Sequence, residues 1–96
     1  MRKVVGIGET VLDIIFKNGQ PVSAVPGGST FNAVISLGRS GVPAMFISEA
    51  GNDMIGRHIV SFLKENHVNA DNVVSFPESK SPISLAFLDQ NNRADY

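Results

Sequence analysis

Apolar positions along this chain change period several times, and each change marks an element. Val4 to Gly8 is a short run rich in β-branched residues without alternation, the pattern of a strand covered on both faces. Val11 to Phe16 is a second extended run, followed by Lys17-Asn18-Gly19-Gln20. Asn-Gly tolerates the positive φ of both central positions of a type I′ turn. Residues 11–16 and 21–25 are therefore predicted as two antiparallel strands.

After Pro26 the period lengthens. Phe31, Val34, Ile35 and Gly38 recur at i, i+3, i+4 and i+7, with Asn32, Ser36 and Arg39 on another face, which predicts an amphipathic helix. Ser29 or Thr30 is the expected cap, and Gly41 followed by Pro43 the expected stop. Ala44 to Ser48 predicts a buried strand. Asp53 is expected to cap a second helix whose stripe is Ile55, Ile59, Phe62 and Leu63. Val73 to Phe76 and Ile83 to Leu88 predict further strands, and Asp89-Gln90-Asn91-Asn92 a turn into a strand just begun at Tyr96.

Strand, helix, strand, helix, strand is the order of an α/β domain, a parallel sheet joined by right-handed crossovers. Two hairpin-like excursions, at 11–25 and from 83 onward, interrupt it and can pair as a small accessory sheet. Three parallel strands with two helices leave faces and an edge uncovered. The pattern therefore predicts a part of a larger fold.

Composition narrows the function classes. With 96 residues, 43% hydrophobic and 18% charged, the chain fits at most one globular domain. A net charge of −1 without basic tracts argues against nucleic acid as a partner. The absence of cysteine excludes disulfides and sulfur-ligated zinc. Glu9 interrupts the first apolar run too early for a signal peptide, and no apolar stretch reaches membrane-spanning length. A cytoplasmic, soluble protein with no membrane partner is expected.

Two familiar motifs fail. Gly6-Ile7-Gly8-Glu9-Thr10-Val11 starts as G-x-G but runs into a strand, where a dinucleotide site needs a helix N-terminus. Gly27-Gly28-Ser29-Thr30 lacks the lysine of a P-loop. His58 and His67 fall on or near the end of the second helix, away from its stripe, and read as solvated rather than as metal ligands or bases.

Gly27 to Asn32 reads in two ways. Adjacent glycines before a helix allow close ligand approach, free N–H groups point outward from the helix start, and Asn32 offers an amide that donates and accepts. Such a set suits a polyol. The same residues also describe an ordinary turn and capping region. Asp13, in the apolar context Val11-Leu12-Asp13-Ile14-Ile15-Phe16, likewise divides between a carboxylate held for ligand hydroxyls and an edge-strand aspartate facing water. Asp53 and Gly56 read as structural, a cap and a close packing point. Glu9 either orients the strand that follows it or is solvated.

The ordered set resembles the first third of the ribokinase-like (PfkB) carbohydrate kinases. Gly8-Glu9 with Asp13 resembles the end of the first strand and the following lid strand. Gly27-Gly28 with Asn32 and Ala33, then Gly41 and Gly51-Asn52-Asp53-Met54-Ile55-Gly56, resemble the family's first signature. Ser84-Leu85-Ala86-Phe87-Leu88 resembles a later lid strand. The Gly-Glu-x-x-x-Asp opening looks closer to fructokinases and ketodeoxygluconate kinases than to ribokinases, which tend to carry asparagine where this chain has Val11.

That resemblance implies a ribokinase-like fold, a partial Rossmann-like parallel sheet with flanking helices plus a small β lid. Residues 1–96 would form the N-terminal portion of a single sugar-kinase domain, with lid strands at about 11–25 and 83–96. It implies sugar binding by Asp13, Gly27, Gly28 and Asn32. It also implies ATP and Mg²⁺ in the full-length enzyme, with none bound by this portion alone. No catalytic residue matches within the chain; base and ATP site are expected beyond Tyr96. The implied partners are a small-molecule sugar, fructose first, and a second copy meeting it through the lid. Ketodeoxygluconate, ribose and nucleosides are alternative acceptors, and a non-catalytic sugar-binding or regulatory module is the alternative role.

Overall fold

A computed structural model describes residues 3–89 and the backbone of 94 and 95. The predicted turn at 89–92 and the residues up to Tyr96 otherwise lie outside the described residues. The first sheet contains β1 (Val4–Ile7), β4 (Ala44–Glu49), β5 (Val68–Asn69) and β6 (Val73–Val74). Strand β4 is central, parallel to β1 on one side and to β5 and β6 on the other. Helices α1 (Ser29–Arg39) and α2 (Met54–Glu65) carry the crossovers.

The α1 stripe is buried as its spacing predicts; of the predicted α2 stripe Ile59 and Leu63 are buried, while Ile55 and Phe62 are partly buried against the same core. Phe31, Val34 and Ile35 of α1 share one core with Ile59 and Leu63 of α2 and Ala44 and Phe46 of β4, while Gly38 lies against Asn66 and Val68. The Phe31 ring stands edge-on to Phe46 at 5.7 Å and stacks on Phe62 at 6.0 Å. Phe31, Phe46, Ile59 and Leu63 are fully enclosed, each contributing about 1.5–3 kcal/mol of transfer free energy.

Within the described residues the first strand, expected to be covered on both faces, is covered on one. Val4 and Gly6 lie beside Ala44 and Phe46, on the helical side. Val5 and Ile7 point the other way and are 49% and 73% exposed. Two right-handed crossovers running in one direction along a sheet place both helices on the same face.

Helix ends follow the sequence in part. Asp53 caps α2, its Oδ1 accepting the Gly56 amide at 2.8 Å. Helix α1 ends with Gly41 N–H donating to Gly38 and Val42 N–H donating to Leu37, the paired bonds of a Schellman motif. Its start differs from expectation: Gly28 is the cap residue, and Ser29 and Thr30 already lie in the helix without a side-chain capping bond. The glycine's extended, positive-φ backbone makes the entry, so no hydroxyl is needed. His58 and His67 are exposed.

The second sheet has the order β3-β2-β7-β8, built from β2 (Val11–Lys17), β3 (Gln20–Gly27), β7 (Ile83–Leu88) and β8 (Ala94–Asp95). Asn18 and Gly19 have φ of 54° and 73°, as the predicted turn requires. Strand β2 pairs antiparallel with β3 and parallel with β7, from Leu12 beside Ile83 to Lys17 beside Leu88. The two excursions thus form the accessory sheet. The predicted strand 73–76 is shortened to Val73–Val74, because the Phe76 amide turns to the Ser79 hydroxyl at 3.0 Å.

Candidate functional site

The chain passes between the two sheets three times: outward through Gly8 to Thr10, back through Gly27-Gly28, and outward again at Ser81-Pro82. The crossings are fixed by backbone bonds, Gly8 N–H to Ile47 and Leu12 N–H to Pro82. Two adjoining clefts open at this junction. One, of about 410 Å³, is lined by Glu9, Thr10, Val11, Gly28, Ser29, Thr30 and Pro82. The other, of about 340 Å³, shares Glu9, Thr10 and Pro82 and continues to Ser48, Glu49 and Lys80. They lie at the carboxyl ends of β1 and β4, where open α/β sheets bind ligands.

Gly28 adopts φ 120°, and a Cβ there would lie 2.7 Å from the Glu9 carbonyl oxygen. Any side chain would both strain the backbone and push the two crossings apart. Gly27 is the register partner of Val11, and a Cβ on it would overlap the Asp13 carboxylate. Asp13, Gly27 and Gly28 are therefore brought together. Asp13 is half-buried on a strand flanked on both sides, which removes the edge-strand reading. Asn32 is exposed in the first turn of α1, its amide N–H bonded to Gly28 O at 2.8 Å. Of these four residues, Gly28 alone lines the 410 Å³ cleft.

Sequence reasoning missed several polar groups around the junction. The buried Ser79 hydroxyl donates to Glu49 Oε2 at 2.9 Å and accepts the Phe76 amide. The Ser81 hydroxyl and amide both donate to Asp53, at 2.6 and 3.2 Å. The Ser81 hydroxyl, then the Gly56 amide, hold the Asp53 carboxyl below its ordinary pKa of 3.8. These pairs join residues 28 and 30 positions apart, which no local spacing reveals. Thr10, buried at the junction, reads in sequence only as a strand-flanking residue.

A larger hollow of about 490 Å³ between α2 and β6, bounded by Arg57, Val60 and Ser75, is lined by Gly51, Asn52 and Gly56 and contains none of the predicted sugar-binding residues. Among the described residues no group of three or more His, Asp or Glu side chains is placed to hold a metal. No helix among them is long and apolar enough to cross a membrane.

A helix-backed parallel sheet, with a second sheet rooted at the carboxyl ends of its strands and a cleft between them, defines an α/β fold. The chain belongs to the pfkB family of carbohydrate kinases, whose family model matches residues 1–95. It is 27% identical to a probable chloroplastic fructokinase-6 of Arabidopsis thaliana, over 96% of this chain and 25% of that protein. It is 33% identical to a 5-dehydro-2-deoxygluconokinase of Bacillus thuringiensis, over 65% of this chain and 22% of that protein. A fructokinase structure from Xylella fastidiosa superposes with a TM-score of 0.84 at 22% identity, covering 99% of this chain and 32% of that one. A second structure of a fructokinase from that organism, TM-score 0.82, holds ATP. The fold is ribokinase-like. The chain spans about a quarter of the length of these curated relatives.

Proposed function

We propose that residues 1–96 form the N-terminal, acceptor-binding portion of a single sugar-kinase domain. In the full-length protein that domain transfers the γ-phosphoryl group of ATP to a sugar hydroxyl. The observation that carries this reading is the Asp13 carboxylate lying against Gly27, next to Gly28, which lines the cleft between the two sheets. A carboxylate can accept hydrogen bonds from two sugar hydroxyls, the Gly28 backbone leaves room for the sugar to approach, and the Asn32 amide can donate and accept. The second sheet, formed by β2, β3, β7 and β8, acts as a lid that excludes water, the competing phosphoryl acceptor.

Base and nucleotide site belong to the remainder of the protein. Among the described residues there is no acidic trio placed to hold Mg²⁺, and the sequence carries no lysine-bearing glycine loop. No step through ATP or Mg²⁺ is assigned to this portion. Fructose is the leading acceptor, supported by the fructokinase relatives. A sugar acid is the second reading, supported by the 5-dehydro-2-deoxygluconokinase relative. The protein acts in the cytoplasm, and a second copy packs on the lid. The apolar outer lid face supports that pairing, with Ile83, Leu85 and Phe87 from 44% to 52% exposed.

The test is ADP formation by the full-length protein over a panel of neutral sugars and sugar acids. Fructose-dependent turnover is expected. An intact full-length protein that turns over none of them, nor nucleosides added to the panel, refutes the kinase reading.

A further inference from the structure

Thr10 is only 3% exposed, yet it lines both clefts of the junction. Buried hydroxyls are nearly always hydrogen-bonded, because an unpaired one forfeits its hydration. Ser79, the other buried polar residue among those described, obeys this fully, donating to Glu49 and accepting from Phe76. The Thr10 hydroxyl makes no hydrogen bond among the described residues. No side-chain oxygen or nitrogen fully shut off from solvent is left without a partner there. The hydroxyl therefore keeps some contact with solvent, on a residue that lines both clefts.

The surroundings specify what that hydroxyl meets. Glu9 and Glu49 line the 340 Å³ cleft against the single cation Lys80, and Ser79 holds Glu49 in place. A ligand hydroxyl can donate to these carboxylates and exchange a hydrogen bond with Thr10. A ligand carboxylate or phosphate would meet net negative charge in a site from which closure removes the screening water.

We propose that the Thr10 hydroxyl is a substrate-binding group, that it takes one hydroxyl of an uncharged polyol, and that the flanking carboxylates disfavour sugar acids. This rests on the kinase reading above for the identity of the cleft. Thr10→Val removes the hydroxyl and keeps the buried shape; Thr10→Ser keeps the hydroxyl.

The test is calorimetric titration of the full-length wild type and both variants with fructose, 5-dehydro-2-deoxygluconate and ATP, beside turnover and melting temperature. Loss of one neutral hydrogen bond predicts about tenfold weaker fructose binding by Thr10→Val. ATP affinity and melting temperature stay unchanged, and Thr10→Ser stays within about threefold of wild type. The wild type should bind the sugar acid at least about tenfold more weakly than fructose. Wild-type fructose affinity in Thr10→Val overturns the proposal, as does tighter binding of the acid by the wild type. So does a joint loss of fructose affinity, ATP affinity and stability, which would mark Thr10 as purely structural. Fructose bound with the predicted Thr10 dependence but never phosphorylated removes the kinase reading and leaves the Thr10 contact standing. Fructose turnover unaffected by Thr10→Val does the reverse, and a wild type that binds neither sugar overturns both.

Discussion

Asp53 holds Ser81 with both carboxylate oxygens, Oδ1 accepting its hydroxyl at 2.6 Å and Oδ2 its amide at 3.2 Å. Because Oδ1 also caps α2 through Gly56, one side chain ties a helix start to the segment entering β7. Glu49 and Ser79 make a second tie into the same segment. The position of β7, the third strand of the second sheet, thus depends on two carboxylates at the first sheet's carboxyl edge.

The lowered Asp53 pKa sets a direction for acid sensitivity. A carboxyl depressed in the folded state stabilises fully above its unfolded value of 3.8 and loses that contribution as pH falls through the lower folded value. Asp53→Asn should melt below the wild type at pH 6, and the gap should narrow below about pH 3.8. Thermal melts across pH 3 to 7 measure it. A gap independent of pH would show that the charge of Asp53 contributes nothing.

Gly56→Ala should destabilise the protein by about 1–3 kcal/mol, because a Cβ there would overlap the Gly51 carbonyl. Met54→Ala, at a side chain 79% exposed, should stay within about 0.5 kcal/mol. Urea unfolding of the two variants provides the comparison. Equal midpoints would mean that the α2 entrance shifts freely.

Asp13→Ala should weaken acceptor binding roughly 10- to 100-fold, the loss of hydrogen bonds to a charged group, while ATP binding is unchanged. Separate titrations of sugar and nucleotide against the full-length protein decide this. Equal losses for both ligands would argue against an acceptor role.

Pairing through the lid predicts that the full-length wild type sediments as a dimer and that Leu85→Glu is monomeric. Leu85 is 44% exposed on the face that carries the stacked Phe16 and Phe87 rings. Burying an unpaired carboxylate there would cost more than the apolar contact returns. A dimer that survives the substitution would place the interface elsewhere.

The helices were legible because burial selects one residue per turn: Phe31, Val34 and Ile35, or Ile59 and Leu63, need only the 3.6 period. The Asn18-Gly19 turn and the Asp53 cap were legible for similarly local reasons. What lay beyond local pattern was the partner of each group. Asp13 has a different meaning on an interior strand than on an edge, and that depends on β7, far along the chain. Val5 and Ile7 have the composition of covered residues, but which faces the helices take is decided by the direction of two successive crossovers. Thr10, Ser79 and Ser81 carry no spacing signal, since each is defined by what packs around it.

Leu12 lies beside Ile83, so β2 finds its parallel partner only after both helices and β4 to β6 have intervened. Closing so long a loop costs entropy before any contact is gained. This predicts an order of assembly in which the helix-backed sheet condenses first and the β2–β7 pairing closes last. In native-state hydrogen exchange, amides of the β2–β7 ladder should accordingly exchange through smaller openings than those of β4, and uniform protection of both would contradict this sequence of events.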